Sequence, residues 1–316
     1  KKRKLAQKNP KSDRTLSFAR GLMDISAFLT DSRKQIDDKL SELIPVAADL
    51  PYSALFASAR YSLSSPGKRL RPLLAIATAA SYDIPIDKVL VPACAIEMIH
   101  TYSLIHDDLP CMDDDDLRRG QPTLHKMFPE WHALLTGDYL LTYAFEILSD
   151  APYLSADQKI ALVRFLSSRA GAHGMIGGQM IDLLSVGQNI DWEILEKMHL
   201  GKTGSLITAA LESGGIIAKA PASDMESLGK TGLAIGTAFQ LIDDILDYTS
   251  TEQELGKPIG SDHKRSKATA VSLLGINSSR EKAALLLRTA DEHLNALSRP
   301  APLVRALFDQ MVNRSK

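Results

Sequence analysis

The stretch Ser227 to Tyr248 reads SLGKTGLAIGTAFQLIDDILDY, and its apolar residues recur at three- and four-residue spacing. That period belongs to an α-helix with a packed face. Its downstream end is Phe239-Gln240-Leu241-Ile242-Asp243-Asp244-Ile245-Leu246-Asp247. Asp243 and Asp247 are four apart and share a face. Gln240, three residues before Asp243, lies on that face too. Two carboxylates one turn apart suit a hard cation such as Mg²⁺, which keeps several waters and takes one or two protein carboxylates plus phosphate oxygens. A solvated acidic face is the plain alternative, but Ala238, Leu241, Ile242, Ile245 and Leu246 leave little polar surface around the acids.

The same period recurs in Leu70 to Ser81, Lys88 to His106, His132 to Leu148, Asp157 to Gly171 and Asp191 to Leu211. Alternating strand patterns are scarce. The expected fold is therefore all-α. Ser65-Pro66-Gly67 reads as a turn, Ser81 through Pro85 as a connection, and Gly256 through Asp262 as a polar loop. Ala151-Pro152 ends one helix, and Asp157 is placed to cap the next. No Pro/Ser-rich linker divides the chain and no short repeat marks a solenoid. The expected organisation is one domain, residues 19–316, behind a flexible N-terminal segment, residues 1–18.

A second acidic run lies upstream, at Asp107-Asp108-Leu109-Pro110-Cys111-Met112-Asp113-Asp114-Asp115-Asp116. Six carboxylates in ten residues repel one another unless solvated or neutralised. The preceding segment, Ile96 to Ile105, is largely apolar and should be packed, so an exposed loop is a poor fit. The spacing does not match a calcium-binding EF-hand loop, which needs a central glycine and a terminal glutamate. Both acidic runs end apolar helices, where the backbone already carries partial negative charge. Divalent cations are the simplest compensation. Asp107 and Asp113 fall on different faces of an ideal helix, but Pro110 must end or distort that helix. A bulge there would bring Asp113 round to the side of Asp107.

Basic residues turn this from simple metal binding to phosphate chemistry. Gly67-Lys68-Arg69-Leu70-Arg71-Pro72 follows a turn and opens a helix. Lys68 and Arg71 are three apart and can converge on one anion. Arg118-Arg119 sits beside the acidic run, and Lys202-Thr203, Lys257 and Lys267 are further candidates. A lone lysine is ordinarily a solvated surface residue, so the combination carries the inference: metal-binding acids plus separated cations imply more than one diphosphate. His100 lies two helical turns before Asp107 on the same face. Gln179 and Asp182, in Gly177-Gly178-Gln179-Met180-Ile181-Asp182, share a face and are placed to orient a lysine or a water. A helix crossing is the plain alternative there.

The bulk numbers set bounds. The 316 residues are 45% hydrophobic and 24% charged with a formal net charge of −1, which is globular composition without a broad attraction for nucleic acid. No apolar run approaches the roughly 20 residues of a membrane span. Two cysteines, Cys94 and Cys111, make neither a disulfide framework nor a zinc pattern and fit a reducing compartment, so a cytoplasmic location is expected. Lys1 to Lys11 are basic without a secretory apolar core; a frayed tail and part of a targeting segment are both compatible with them.

Taken together, these residues resemble the trans, head-to-tail polyprenyl diphosphate synthases, especially the bacterial farnesyl and plant-type geranylgeranyl enzymes. The likeness covers roughly residues 20 to 300. It rests on Gly67 to Pro72, Asp107-Asp108 with Asp113, Arg118-Arg119-Gly120, Gly178-Gln179 with Asp182, Lys202-Thr203, and Phe239-Gln240 with Asp243-Asp244 and Asp247. The resemblance implies an all-α homodimer whose helices surround a deep cavity, with the aspartate motifs facing each other across its mouth. It implies that Lys68, Arg71, His100 and Arg119 hold isopentenyl diphosphate. Arg118, Lys202, Thr203, Gln240 and Lys257 would hold the allylic diphosphate, with Lys202, Thr203, Gln240 and Lys257 acting in catalysis. Asp107, Asp113 and Asp243 would bind Mg²⁺, three ions in all, with Asp108, Asp244 and Asp247 as ligands or supports behind them. The expected reaction ionises the allylic substrate inside an apolar cavity and needs no nucleophilic Ser or Cys. One departure stands out. After Lys267 the family commonly has a small residue, Thr, then Tyr-Pro, whereas this chain has Ala268-Thr269-Ala270-Val271.

Three other readings fit less well. A terpene cyclase needs only one diphosphate site, a non-catalytic subunit would have lost aspartates from one motif, and a calcium-binding helical protein offers no reason for the cations. In this family the residues just before the first aspartate motif limit the growing tail. Tyr102 lies five residues before Asp107, about 7.5 Å along an ideal helix, and Ser103 lies four before it. A bulky Tyr at that level resembles the farnesyl pattern, which is preferred here over geranylgeranyl. Tyr102→Ala is expected to lengthen the product. A variant that stops at the wild-type length, by chromatography of the dephosphorylated products, would remove Tyr102 as the floor.

Overall fold

The computed structural model describes residues 24–46, 48–249 and 268–312. The expected leader 1–18, the loop Gly256 to Asp262, Lys257 and Lys267 lie outside the described residues. In chain order the helices are α1 (Ile25–Leu43), α2 (Ser53–Ser64), α3 (Leu70–Ala80), α4 (Leu90–Asp107), α5 (Leu124–Met127), α6 (Glu130–Ser149), α7 (Ala156–Ala170), α8 (Met175–Leu184), α9 (Trp192–His199), α10 (Ser205–Ala218), α11 (Ala222–Thr249), α12 (Ala270–Leu274), α13 (Ile276–Asn295) and α14 (Pro302–Val312). A 3₁₀ turn, Ile86–Lys88, precedes α4. The expectation of an all-α fold holds, with one addition. Two-residue strands β1 (Leu117–Arg118) and β2 (Gln121–Pro122) pair antiparallel.

Two largely apolar helices lie innermost. Almost every residue of α10 is buried, and it packs on α3, α7 and α11. A helix that is apolar all round has no solvent face and is driven to the centre. Its one acid, Glu212, is buried and accepts two hydrogen bonds from Arg169, at 3.1 and 2.7 Å. Helix α4 is equally apolar and is carried by α6. Gly137 of α6 makes that approach possible, since a Cβ there would overlap the His106 ring of α4. A smaller core of Leu195, Met198, Leu241, Ala270 and Ala283 lies beneath the end of α11.

Two boundaries differ from expectation. Asp191 to Leu211 is interrupted: α9 ends at His199, the π-helical turn Leu200–Gly204 follows, and α10 begins at Ser205. The three-to-four-residue period cannot show an inserted residue inside a helix. The start of α7 is capped by Ser155 in a reciprocal capping box with Gln158, not by Asp157, which lies in the first turn.

The far end of α11 is tied to the rest by Asp224. This carboxylate accepts from the Tyr82 hydroxyl at 2.6 Å, from the Ser298 backbone N–H at 3.2 Å, and from the Ser298 hydroxyl. Three parts of the chain thus meet on one buried acid. Asp224→Ala is expected to lower folding stability by about 2 kcal/mol, the loss of charge-assisted hydrogen bonds at a buried site. Urea denaturation checks this, and a change within 0.5 kcal/mol, about that of an ordinary surface substitution, would show that these bonds contribute little.

Candidate active site

Helix α4 ends at Asp107, before Pro110, and the chain then turns through Leu109 to Asp114. The Asp113 N–H donates to the Asp107 carbonyl at 2.9 Å, and the Asp114 N–H to the Leu109 carbonyl at 3.1 Å. Asp114 takes positive φ to close the turn. The loop therefore folds back on the helix end and sets Asp113 beside Asp107. Their coupling is visible in the proton affinity of Asp107. Burial, with help from Asp113 and Asp108 and against Lys202 and Arg118, lifts its pKa from 3.8 to about 6.

The hairpin after this loop is a two-residue turn with positive φ at both Arg119 and Gly120, the geometry that matches strand twist. It sends neighbouring arginines to different partners. Arg118 turns back on the acids, with Nε and Nη2 both 2.6 Å from Asp108 Oδ1 and Nη2 3.3 Å from Asp115. Arg119 reaches the other way and donates to the Pro66 carbonyl at 3.2 Å. Its guanidinium lies against Gly67, where a Cβ would collide with it. His100 faces this basic side. Burial, then Arg71, Arg119, Arg118 and Arg69, pushes its pKa well below the ordinary value, so the ring is neutral.

The π-helical turn carries Lys202 and Thr203. Backbone contact fixes its position: a Cβ on Gly178 of α8 would overlap Lys202, and one on Gly236 of α11 would overlap Gly204. Lys202 Nζ is 2.6 Å from Asp182 Oδ2. Gln179 and Asp182 thus belong to a close helix crossing in which Asp182 also holds the lysine. The Thr203 hydroxyl donates to Gln240 Oε1 at 3.1 Å, and Gln240 Nε2 donates to Asp244 Oδ1 at 3.2 Å. Asp244 is buried, and its Oδ2 accepts the Ala270 N–H at 2.7 Å. Asp243 is half-buried on the same helix, and Asp247 is buried.

A small cavity of about 100 Å³ lies between these groups, lined by Asp182, His199, Lys202, Gln240, Asp244 and Thr269 among others. His199 was missed in the sequence because a single histidine at a helix end carries no pattern. Its ring is buried, with Nε2 3.7 Å from Asp244. Burial, only partly offset by Asp182, lowers its pKa to about 4. The Ala270-Val271 departure falls at the start of α12. Thr269 caps α12 in a capping box with Ser272, and Val271 is in the first turn, where backbone N–H groups have no intrahelical partner.

Tyr102 is buried, and its ring meets His106 edge-on at 5.7 Å. Burial and Asp107 raise its hydroxyl pKa to about 12. Ser103 donates to the His100 carbonyl at 2.8 Å. Lys68 is exposed and Arg71 half-buried at the start of α3. Between them Arg69, which was assigned no role from the sequence, is buried with four hydrogen bonds.

The family model for polyprenyl synthetase matches residues 53–300. The chain belongs to this family. Among relatives of this polyprenyl synthetase is farnesyl diphosphate synthase of Bacillus subtilis, 41% identical over 92% of this chain and 98% of the relative. Geranylgeranyl diphosphate synthase of Cyanophora paradoxa is 40% identical over 92% and 97%. The crystal structure of a Helicobacter pylori geranyltransferase complexed with magnesium and isoprenyl diphosphate superposes with a TM-score of 0.79 at 33% identity, covering 92% of this chain and 97% of that one. No helix among the described residues is long and apolar enough to cross a membrane.

The acids of this synthetase suit magnesium in a particular way. Among the described residues no three His, Cys, Asp or Glu side chains gather closely enough to hold an ion by themselves. The donors on offer are carboxylate oxygens, and Mg²⁺ characteristically combines one or two of these with phosphate oxygens and water. The crowding also predicts a pH dependence. A proton on Asp107 is held more tightly in the folded chain than in the unfolded one, so its stabilising contribution is full below about pH 4 and is lost as pH rises through about 6. In metal-free buffer Asp107→Asn should match wild type near pH 4 and melt a few degrees higher near pH 7. Equal Tm values at both would mean the carboxylate is not crowded.

Proposed function

We propose that residues 19–316 form one catalytic domain that makes farnesyl diphosphate, condensing isopentenyl diphosphate with dimethylallyl and then geranyl diphosphate. The observation that carries this reading is the position of Lys202. It acts electrostatically on Asp107 of the first aspartate motif and lines one cavity with Gln240 and Asp244 of the second. Its action on both supports a reading in which the two acid motifs serve one diphosphate. Arg71 and Arg119 act electrostatically on the neutral His100, and with Lys68 they supply, in this reading, the second anion subsite that a two-diphosphate reaction requires.

In this reading Lys202, Thr203, Gln240 and Lys257 hold the allylic diphosphate, with Arg118 beside it. Asp107, Asp113 and Asp243 hold three Mg²⁺ ions with the substrate, backed by Asp108, Asp244 and Asp247. The bound metal stabilises negative charge on the departing pyrophosphate. Lys202, held by Asp182, supplies positive charge there as the allylic C–O bond breaks and its electron pair leaves with pyrophosphate. Lys68, Arg71, Arg119 and His100 fix isopentenyl diphosphate, so that its double bond attacks the allylic cation and forms the new C–C bond. The adjacent proton passes to the released pyrophosphate. Apolar walls exclude water that would quench the cation. Tyr102, buried five residues before Asp107, limits the growing tail at the farnesyl length.

The chain acts as a homodimer in this proposal. Met127, Trp131, Leu134 and Leu135 are exposed together on α5 and the start of α6, an apolar face that a second copy would cover. Purified protein given Mg²⁺, isopentenyl diphosphate and each allylic starter in turn is expected to yield a C15 product after dephosphorylation and chromatography. A C20 product would make it a geranylgeranyl enzyme. A cyclic hydrocarbon, or no condensation with any starter, would overturn the reading.

A further inference from the structure

Arg69 is the buried basic residue of the Gly67-to-Pro72 segment. It is 5% exposed, takes φ of 48° in the left-handed region, and directly precedes α3. A non-glycine residue in that conformation persists where its surroundings hold it. Here the guanidinium does so with four bonds: Nε to Asp37 of α1 at 2.7 Å, Nη1 to Glu97 of α4 at 2.9 Å, and Nη2 to the Leu63 and Ser65 carbonyls at 2.6 and 3.2 Å. Glu97 is 2% exposed and is a lone acid in an otherwise apolar part of α4, three residues before His100. Its negative charge also reaches Arg119, which lies over Gly67.

We infer that the buried Arg69–Glu97 pair is the positioning device of the isopentenyl diphosphate subsite, setting Lys68 and Arg71 against His100 and Arg119. This rests on the proposed function for the identity of the ligand. The physical reasoning is independent of it. Lys68 and Arg71 sit on either side of Arg69 in sequence, and His100 is one turn from Glu97, so a bond between Arg69 and Glu97 fixes the loop register against α4. Arg71, Arg119, Arg118 and Arg69 all act on His100 as like charges, and the Arg69–Glu97 bond places an opposite charge among them. Neither residue of the pair contacts the anion; Arg69 is engaged with the protein and acts by placing the segment that carries Lys68 and Arg71. The hydrogen bonds to two carbonyls explain why arginine is used, since lysine lacks the planar fork.

A buried pair that only contributed to folding would behave differently. Replacing both partners by apolar residues of similar size is often neutral or stabilising, whereas removing one leaves a buried charge. The test therefore uses the double variant Arg69→Met/Glu97→Leu, with Arg69→Lys as a second, milder change. The expected result is a KM for isopentenyl diphosphate raised about tenfold or more with little change in the allylic KM, the signature of lost ground-state positioning at one subsite. Parallel changes in both KM values, or none in either, would overturn the inference. Calorimetric titration of isopentenyl diphosphate into each protein in metal-free buffer supplies a readout that needs no turnover. Affinity weakened about tenfold in both variants supports the positioning role; affinity equal to wild type in either overturns it, whatever the assay of condensation shows.

Discussion

Like charges forced together at the ends of apolar helices are the constraint that organises this protein. Asp107 ends α4 and Asp243, Asp244 and Asp247 approach the end of α11, where backbone carbonyls already add negative potential. The protein meets part of this load with its own cations. Arg118 takes Asp108 and Asp115, and Lys202 takes Asp182 while acting on Asp107. Burial first, and Asp113 and Asp108 after it, leave Asp107 with a raised pKa in spite of Lys202 and Arg118.

The cations have to be placed as accurately as the acids, and backbone geometry does this. The π-helical turn puts Lys202 and Thr203 on a bulge, and glycines on α8 and α11 let that bulge approach to backbone contact. The left-handed residues Arg69 and Arg119 do the equivalent work for the basic groups that act on His100. Each lies in a segment whose turn is held by side chains far away in sequence. Rigid placement of this kind is what lets electrostatic groups act without first reorganising.

Asp244 shows how one acid serves both architecture and site. Its oxygens receive Gln240 from its own helix and the Ala270 N–H from the start of α12. The same bonds keep Gln240 against Thr203 and hold α12 on the small core beneath α11. Ala270 makes this contact through its backbone N–H, and the helix start is capped by Thr269.

Sequence alone determined the all-α class, the two aspartate motifs, the break at Pro110 and the groups of basic residues. Those follow from local rules: a three-to-four-residue period, the missing N–H of proline, and the spacing of charges along one helix. Tertiary structure decided the rest. Nothing in Asp191 to Leu211 revealed the π-helical turn, because an added residue in a helix hardly alters the apolar pattern. Arg69, Glu97 and His199 gave no signal of their own, since each acquires its partners from residues distant in the chain. Arg118 and Arg119 were legible as a pair, but their opposite duties come from the hairpin, whose turn sends one to the acids and the other to Gly67. Chemistry was written in residue type; which charge meets which was settled by long-range packing, where burial makes an unpaired charge too costly to keep.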